Sequence, residues 1–128
     1  MLFFKDHSPH YCRIGRPSVK KKETDLLQGT LDLLILRILS QGPKHGFGVA
    51  KCIEDTSLGS LQVGEGSLYP ALHRLEHKGW IESEWGRTEG NRKARFYSIT
   101  ELGEEGLMLA SDQWRRYAVA VELILQLR

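Results

Sequence analysis

Residues 66–80 constrain the fold more than any other stretch of the chain. At about 100° per residue, one side of a helix over this stretch is apolar, which predicts a core-facing stripe. The residues of that stripe are Leu68, Ala71, Leu72 and Leu75. The opposite side is basic and hydrogen-bonding, with Ser67, Pro70, Arg74, His77 and Lys78. Gly79 is placed to end the helix in a left-handed conformation. The stretch is either an ordinary surface helix with a solvated outer face or a helix that lies on DNA.

Composition limits the class of protein. The chain has 128 residues, 41% of them apolar and 27% charged, which predicts one compact domain with a modest core. The net charge of +2 weakly favours a polyanionic partner. The two cysteines, Cys12 and Cys52, are far apart and form no CxxC pair, so a reducing compartment is expected. No apolar run approaches the roughly 20 residues of a membrane span. Charged residues follow the first apolar residues at once, unlike a signal peptide, so we expect a cytoplasmic protein with no membrane partner.

Residues 1–23 show no helical or alternating pattern, and we predict a disordered basic N-terminal arm. His7, His10 and Cys12 are potential metal ligands, but no fourth ligand follows at a zinc-type spacing. We therefore expect neither a metal site nor a cofactor. The run of lysines at 20–22 could touch DNA phosphates, although a solvated tail is the favoured interpretation.

The first helix is predicted from Thr24 or Thr30 to Ser40. After Gly29 its only charged residues are Asp32 and Arg37, so it is apolar nearly all round. Such a helix is buried on more than one side, and so small a domain can hardly surround it alone. We expect one face on the protein's own core and the other on a second subunit. The alternative is a central core helix in a monomer.

A second helix is predicted from about His45 to Thr56. Its apolar set is Phe47, Val49, Ala50 and Ile53. Glycines at 46 and 48 weaken its first turn but would let another backbone, such as a DNA strand, come close. The loop at residues 58–64 could hold a short strand, and Gly64 is the expected N-cap of the third helix.

A basic hairpin is predicted next. Its strands are residues 80–85 and 94–99, which are rich in aromatic and β-branched side chains. The loop between them is polar and glycine-rich. With the start of the second strand it carries four cations, Arg87, Arg92, Lys93 and Arg95, against one anion, Glu89.

The last helix is predicted to start after Thr100, a good N-cap, and to run towards Arg128. Gly103 and Gly106 are expected to make its start loose. Apolar residues then recur at helical spacing as a seam: Leu107, Trp114, Tyr117 or Ala118, Val121, Ile124 or Leu125. A helix of about 25 residues extends roughly 38 Å, longer than the body it leaves, so the seam needs a cover. A second copy of the helix is the expected partner.

This order of elements predicts a mainly α fold with a small β-hairpin. It is a winged helix-turn-helix over residues 24–100 followed by a dimerisation helix over residues 101–128. A helix fits the major groove of duplex DNA, and a cationic hairpin reaches the adjacent backbone or minor groove. A two-fold dimer would place two such helices on successive turns of DNA, so a near-palindromic operator follows.

Several motifs in order also resemble the PadR family of bacterial transcriptional regulators. They are LQGTLDLLIL at 27–36, GPKHGFGVA at 42–50, GSLYPALHRLE at 66–76, GWI at 79–81 and RFYSITELG at 95–103. The resemblance covers the chain from about Asp25 onward and implies a homodimeric winged-helix repressor. The single terminal helix resembles that of the family's short-tailed branch. This branch includes repressors that sense aromatic acids, antibiotics or other toxic compounds.

The resemblance also implies the residues that contact DNA. On the third helix they are Ser67, Tyr69, Pro70 and Arg74, and on the wing they lie between Arg87 and Arg95. Lys44 and His45, at the start of the second helix, could touch phosphate. Lys78 extends the basic face. Gly64-Glu65 departs from the family's Ser-Pro-like helix start, and residues 1–23 have no counterpart in the family.

Trp114 has two interpretations. Its flat face could stack on an aromatic effector, or it could anchor the dimer, where tryptophan is enriched. The two roles are compatible. The residues expected at the effector site or dimer interface are Leu34, Trp114, Tyr117, Val121 and Ile124.

An enzyme is not expected. His45, His73 and His77 carry no sign of a carboxylate partner, and Cys52 lies among apolar neighbours as a small core residue would. The remaining alternative is a dimeric protein-interaction adaptor that does not bind DNA. Four cations on one exposed hairpin argue against it. The expected partners are double-stranded DNA, a second copy of the chain and a possible small-molecule effector.

Overall fold

A computed structural model describes residues 25–128, with side chains from residue 30 onward. The elements are α1 (Asp25–Leu39), β1 (Lys44–His45), α2 (Gly46–Thr56), α3 (Glu65–His77), β2 (Ile81–Arg87), β3 (Lys93–Ile99) and α4 (Glu101–Leu125). The predicted winged helix-turn-helix with a long terminal helix is confirmed. The predicted basic arm, with His7, His10 and Cys12, lies outside the described residues. None of the helices within residues 25–128 is long and apolar enough to cross a membrane.

The core forms where α1, α2 and α3 meet the base of the hairpin. Its buried apolar residues are Leu31, Ile35, Leu36, Leu39, Val49, Ile53, Leu68, Ala71, Leu72, Leu75, Ile81 and Tyr97. The spacing of three or four residues puts each helix's apolar set on one side. The predicted inward stripe of α3 is confirmed. Full burial of each leucine contributes about 1.5–3 kcal/mol, so this cluster dominates the stability of the domain.

The sheet has three antiparallel strands in the order β1-β3-β2, one more than the predicted hairpin. β2 pairs with β3 from Ile81↔Ile99 to Arg87↔Lys93. β1 pairs with β3 through Lys44↔Tyr97 and His45↔Phe96. The suggestion of a strand within residues 58–64 is wrong, because that segment is a turn followed by irregular backbone. A two-residue strand has no periodicity to recognise, and its partner lies some fifty residues away along the chain.

The start of α4 packs closely against Trp80. The Thr100 hydroxyl accepts a 3.0 Å hydrogen bond from the Gly103 N–H and donates a 2.7 Å bond to the Gly79 carbonyl. A Cβ at Gly103 would collide with the Trp80 carbonyl oxygen, and one at Gly106 would lie 2.7 Å from the Trp80 ring. The expectation of a loose start is wrong, since these glycines allow a close approach. Gly79 has φ +80°, as its predicted role at the end of α3 requires.

The second half of α4 leaves the body of the domain with its apolar side chains uncovered. Tyr117, Leu123, Ile124 and Leu125 are all exposed, and Trp114 is 39% exposed. Trp114 and Tyr117 form a tilted pair whose ring centroids are 5.8 Å apart. Leu34 of α1 packs against the core cluster and is only partly buried. Apart from Leu107, which packs against the core cluster, the predicted seam is therefore mainly a surface feature of the single chain.

Candidate nucleic-acid interface

Away from the core, α3 presents an open polar surface. Tyr69, Pro70, His73, Arg74, His77 and Lys78 line a shallow outer groove of about 770 Å³. The structure thus brings four predicted site residues, Tyr69, Pro70, Arg74 and Lys78, to one surface. Ser67 is half-buried beside them. The Lys78 ammonium lies 4.6 Å from the centroid of the Trp80 ring, so this lysine marks the end of the groove near the hairpin.

Arg74 lies on the flank of α3 that faces α1. Its Nη2 donates a 2.7 Å hydrogen bond to Asp32 Oδ1. The side chains are 52% exposed for Arg74 and 31% exposed for Asp32, so solvent screens the pair in part. The helical pattern predicts the orientation of Arg74 but gives no sign of its partner, which comes from α1.

Tyr69 lies on the other flank, against the first residue of α2. A Cβ on Gly46 would lie 2.6 Å from the Tyr69 Oη, so only glycine leaves room for this ring. Glycine here was predicted to let another backbone, such as a DNA strand, come close, whereas within the described residues it makes room for a side chain. The approaching group is the tyrosine side chain.

His45 joins α2 to the wing. As the N-cap of α2, its Nδ1 accepts a 3.1 Å hydrogen bond from the Gly48 N–H. Its ring meets Phe96 of β3 edge-on at 5.3 Å and lies parallel to Phe47 at 6.4 Å. Because Nδ1 accepts, the proton of the neutral ring is on Nε2, which can donate to an external group. Lys44 precedes it in β1 and is half-buried.

The four predicted wing cations have different surroundings. Arg87 Nη1 donates a 3.0 Å hydrogen bond to the Asn91 carbonyl and so closes the hairpin. Arg92 is exposed at the tip. The Lys93 ammonium lies 5.1 Å from the centroid of the Trp85 ring.

Arg95, the fourth cation, is tied to α3. Its Nη2 donates to Ser83 Oγ at 2.7 Å, and Ser83 Oγ in turn donates to Glu76 Oε2 at 2.7 Å. Arg95 also lies 3.5 Å from that carboxylate. Hydrogen bonds from Arg95 through Ser83 to Glu76 therefore connect the wing to α3. Burial raises the pKa of the neighbouring Tyr97 hydroxyl, opposed by the charge of Arg95, so Tyr97 stays neutral at physiological pH.

A second, larger groove of about 1090 Å³ lies between the start of α2, the flank of α3 and the hairpin. Its lining includes the cations Lys44, Lys51, Arg87, Arg92, Lys93 and Arg95 and the aromatic rings of Phe47, Trp85 and Phe96. Tyr69 and His73 line both this wing groove and the outer groove of α3. The two grooves therefore form one continuous surface.

Several residues of this surface were not predicted from the sequence, Phe47, Trp85 and His73 among them. Phe47 was assigned to the apolar face of α2, which is wrong, because its ring is 69% exposed. Trp85 is 60% exposed on the wing, and nothing in the strand pattern assigned it to the interface. His73 is exposed, and the helical spacing of α3 was sufficient to find it, since it falls between Pro70 and His77 on the outer side.

Cys52 lines the wing groove but is not arranged as a nucleophile. Burial raises the pKa of its thiol, and the opposing charge of Lys44 is a smaller influence. The thiol is thus held in its unreactive, protonated form.

A model of the transcriptional regulator PadR-like family matches residues 35–108. The chain belongs to this family. A transcriptional regulator from Clostridium thermocellum has a similar structure, with a TM-score of 0.74 and 26% identity over 80% of this chain and all of that one. A PadR-like transcriptional regulator from Bacillus cereus has a TM-score of 0.70 and 28% identity, over 82% of this chain and all of that one. Family membership makes the chain a winged-helix DNA-binding regulator.

Among relatives in sequence, the transcriptional regulator YqjI of Escherichia coli is 34% identical over 79 residues. The match covers 62% of this chain and only 36% of that protein. Most of that longer regulator therefore lies outside the match.

Proposed function

We propose that this PadR-like protein is a sequence-specific repressor that binds a near-palindromic operator as a homodimer and is released by a small effector. The observation that carries the DNA-binding part is the continuity of the two grooves through Tyr69 and His73. A helix that reads base edges and cations that bind the neighbouring backbone must act on one stretch of duplex together.

Within this surface we assign two kinds of contact. Tyr69, Pro70, His73 and Arg74 face the major groove, where donors and a planar guanidinium can distinguish bases. Ser67 and Lys78 lie at the ends of that face. The phosphate contacts are Lys44, the Nε2 of His45, Arg87, Arg92 and Lys93. Arg95 acts mainly by holding the wing, because its Nη2 donates to Ser83 Oγ and lies 3.5 Å from the Glu76 carboxylate.

The homodimer is supported by the uncovered half of α4. Tyr117, Val121, Ile124 and neighbouring leucines expose apolar area on a helix that leaves the domain. Contiguous apolar surface of this kind marks an interaction site in soluble proteins. A second copy offers the same surface, so a two-fold interface covers both at once. Leu34 would lie at the edge of this interface.

The effector is proposed to bind beside Trp114. With Tyr117 it forms an aromatic pair that is only partly covered in the single chain. A planar apolar or aromatic molecule could stack there between the subunits. It would release the operator by favouring a dimer geometry whose α3 helices are wrongly spaced for successive turns of DNA.

Fluorescence anisotropy tests this function. A labelled duplex from the region upstream of the protein's own gene is compared with a scrambled duplex at several salt concentrations. We expect preference for the first duplex, with affinity that falls steeply as salt rises. Sedimentation analysis of the same samples should give two subunits per duplex. Absence of binding to any duplex, including one selected from a random pool, would overturn the proposal in favour of the dimeric adaptor.

A further inference from the structure

Among the described residues, the side chains that line the outer groove of α3 are cationic or neutral, and none of them is a carboxylate. Arg74 lines the groove, and its guanidinium donates a 2.7 Å hydrogen bond to the Asp32 carboxylate. Asp32 belongs to α1, forty-two residues earlier in the chain. An acid next to a DNA-binding surface weakens attraction to phosphate, so its presence calls for a physical role.

We propose that Asp32 is a specificity-determining residue, which holds Arg74 in one orientation and offsets its charge so that Arg74 discriminates between bases. This inference rests on the proposed function and deepens it by assigning a residue outside the recognition helix to the reading of sequence.

Geometry supplies the first part of the role. A guanidinium has five N–H donors, and the bond to Asp32 uses Nη2. A free arginine side chain adopts many rotamers, and fixing it for a bidentate contact to guanine costs conformational entropy. Because Asp32 holds the Arg74 side chain before DNA binds, this conformational entropy is already lost in the free protein and does not oppose binding. The remaining donors can then meet a base edge in one defined orientation.

Charge supplies the second part. An arginine without an acidic partner raises the protein's affinity for any duplex, since each neutralised phosphate releases counterions. The Asp32 carboxylate cancels much of that gain at short range. Arg74 then contributes little on unrelated sequences and contributes fully only where its directional hydrogen bonds are satisfied. The consequence is a larger ratio between specific and non-specific affinity.

The test compares D32N with wild type on two duplexes, one selected from a random pool by the wild-type protein and one scrambled. Asparagine preserves the shape of the side chain and removes its charge. We expect D32N to bind the scrambled duplex about fivefold more tightly, with a salt slope steeper by up to about 0.9 per subunit. Affinity for the selected duplex should rise less, so discrimination falls.

D112N is the matched control. It removes the charge of an aspartate in another Arg–Asp pair, Arg116–Asp112 at 3.1 Å on α4. It should leave both affinities and both slopes at their wild-type values. Thermal unfolding of both variants, measured in parallel, shows whether either substitution acts through stability.

R74Q gives a second readout should D32N fold poorly. We expect it to lower affinity for the selected duplex by about tenfold and to leave the scrambled duplex nearly unaffected. Equal losses on both duplexes would make Arg74 a plain phosphate contact and overturn the inference. So would a D32N protein with wild-type discrimination. A wild type that binds all duplexes alike overturns the proposed function itself, which is a separate outcome.

Discussion

Ser83 Oγ on the wing donates a 2.7 Å hydrogen bond to Glu76 Oε2 on α3, and Arg95 donates to the same serine from the facing strand. The two elements that would contact DNA are thereby coupled. Glu76 lies on the flank of α3 that faces the hairpin, which lets its carboxylate reach β2.

Replacing Ser83 with alanine should loosen the wing. The change removes the hydroxyl shared by Glu76 and Arg95, a loss of about 1–3 kcal/mol for hydrogen bonds to charged groups. We expect DNA affinity to fall about three- to tenfold, and hydrogen exchange of the hairpin amides to speed up. Ser60→Ala, in an exposed turn after α2, is the control and should change neither. An S83A hairpin with wild-type exchange rates would show that the wing is held by its other contacts.

Gly103→Ala should destabilise the domain by about 1–3 kcal/mol, because the new methyl group overlaps the Trp80 backbone, which cannot move alone. Urea unfolding measures the loss. Gly66→Ala, on the exposed side of α3 with nothing within 4 Å of the new Cβ, should instead stabilise by about 0.5–1 kcal/mol. Equal effects of the two changes would contradict the close packing of α4 on Trp80.

Gly46→Ala should impair DNA binding more than stability. Its Cβ would meet the far end of the Tyr69 side chain, which can swing away at little cost. The displaced tyrosine would then leave the surface shared by the two grooves. We expect unfolding within about 1 kcal/mol of wild type and an affinity loss similar to that of Tyr69→Phe or larger. Unchanged affinity would remove Tyr69 from the interface.

Arg92→Ala should lower affinity for every duplex and make the salt slope shallower by about 0.9 per subunit, since Arg92 is an exposed cation at the tip of the wing. Arg128→Ala removes the same charge at the end of the chain and should leave the slope alone. A sequence-dependent loss in R92A would mean that the tip reads bases as well as phosphates.

Trp114→Ala should weaken both dimerisation and the response to an aromatic effector. Truncation of a tryptophan anchor costs about 2 kcal/mol or more at an interface, so sedimentation should show a dimer constant at least about thirtyfold weaker. Met108→Ala, on the same helix with a 72% exposed side chain, is the control. A W114A protein with unchanged dimerisation and effector response would exclude both roles.

Local patterns alone determined much of this protein. Helical spacing was sufficient to find the buried stripe of α3, its exposed polar surface and the uncovered seam of α4, because each depends on residues three or four apart. Gly79 and Thr100 marked helix ends for equally local reasons. The motifs at 27–36, 42–50 and 66–76 carried the resemblance that led to the family.

Only the tertiary structure decided the contacts between distant segments. Asp32 meets Arg74, Arg95 meets Glu76, and β1 pairs with β3, each at a separation of 19 residues or more along the chain. Phe47 has the apolar side chain that is typical of a core residue, yet the packing of α2 leaves its ring exposed to solvent. Periodicity reports which side of an element a residue occupies, whereas its partner depends on how whole elements pack, and that is set by the core as a unit.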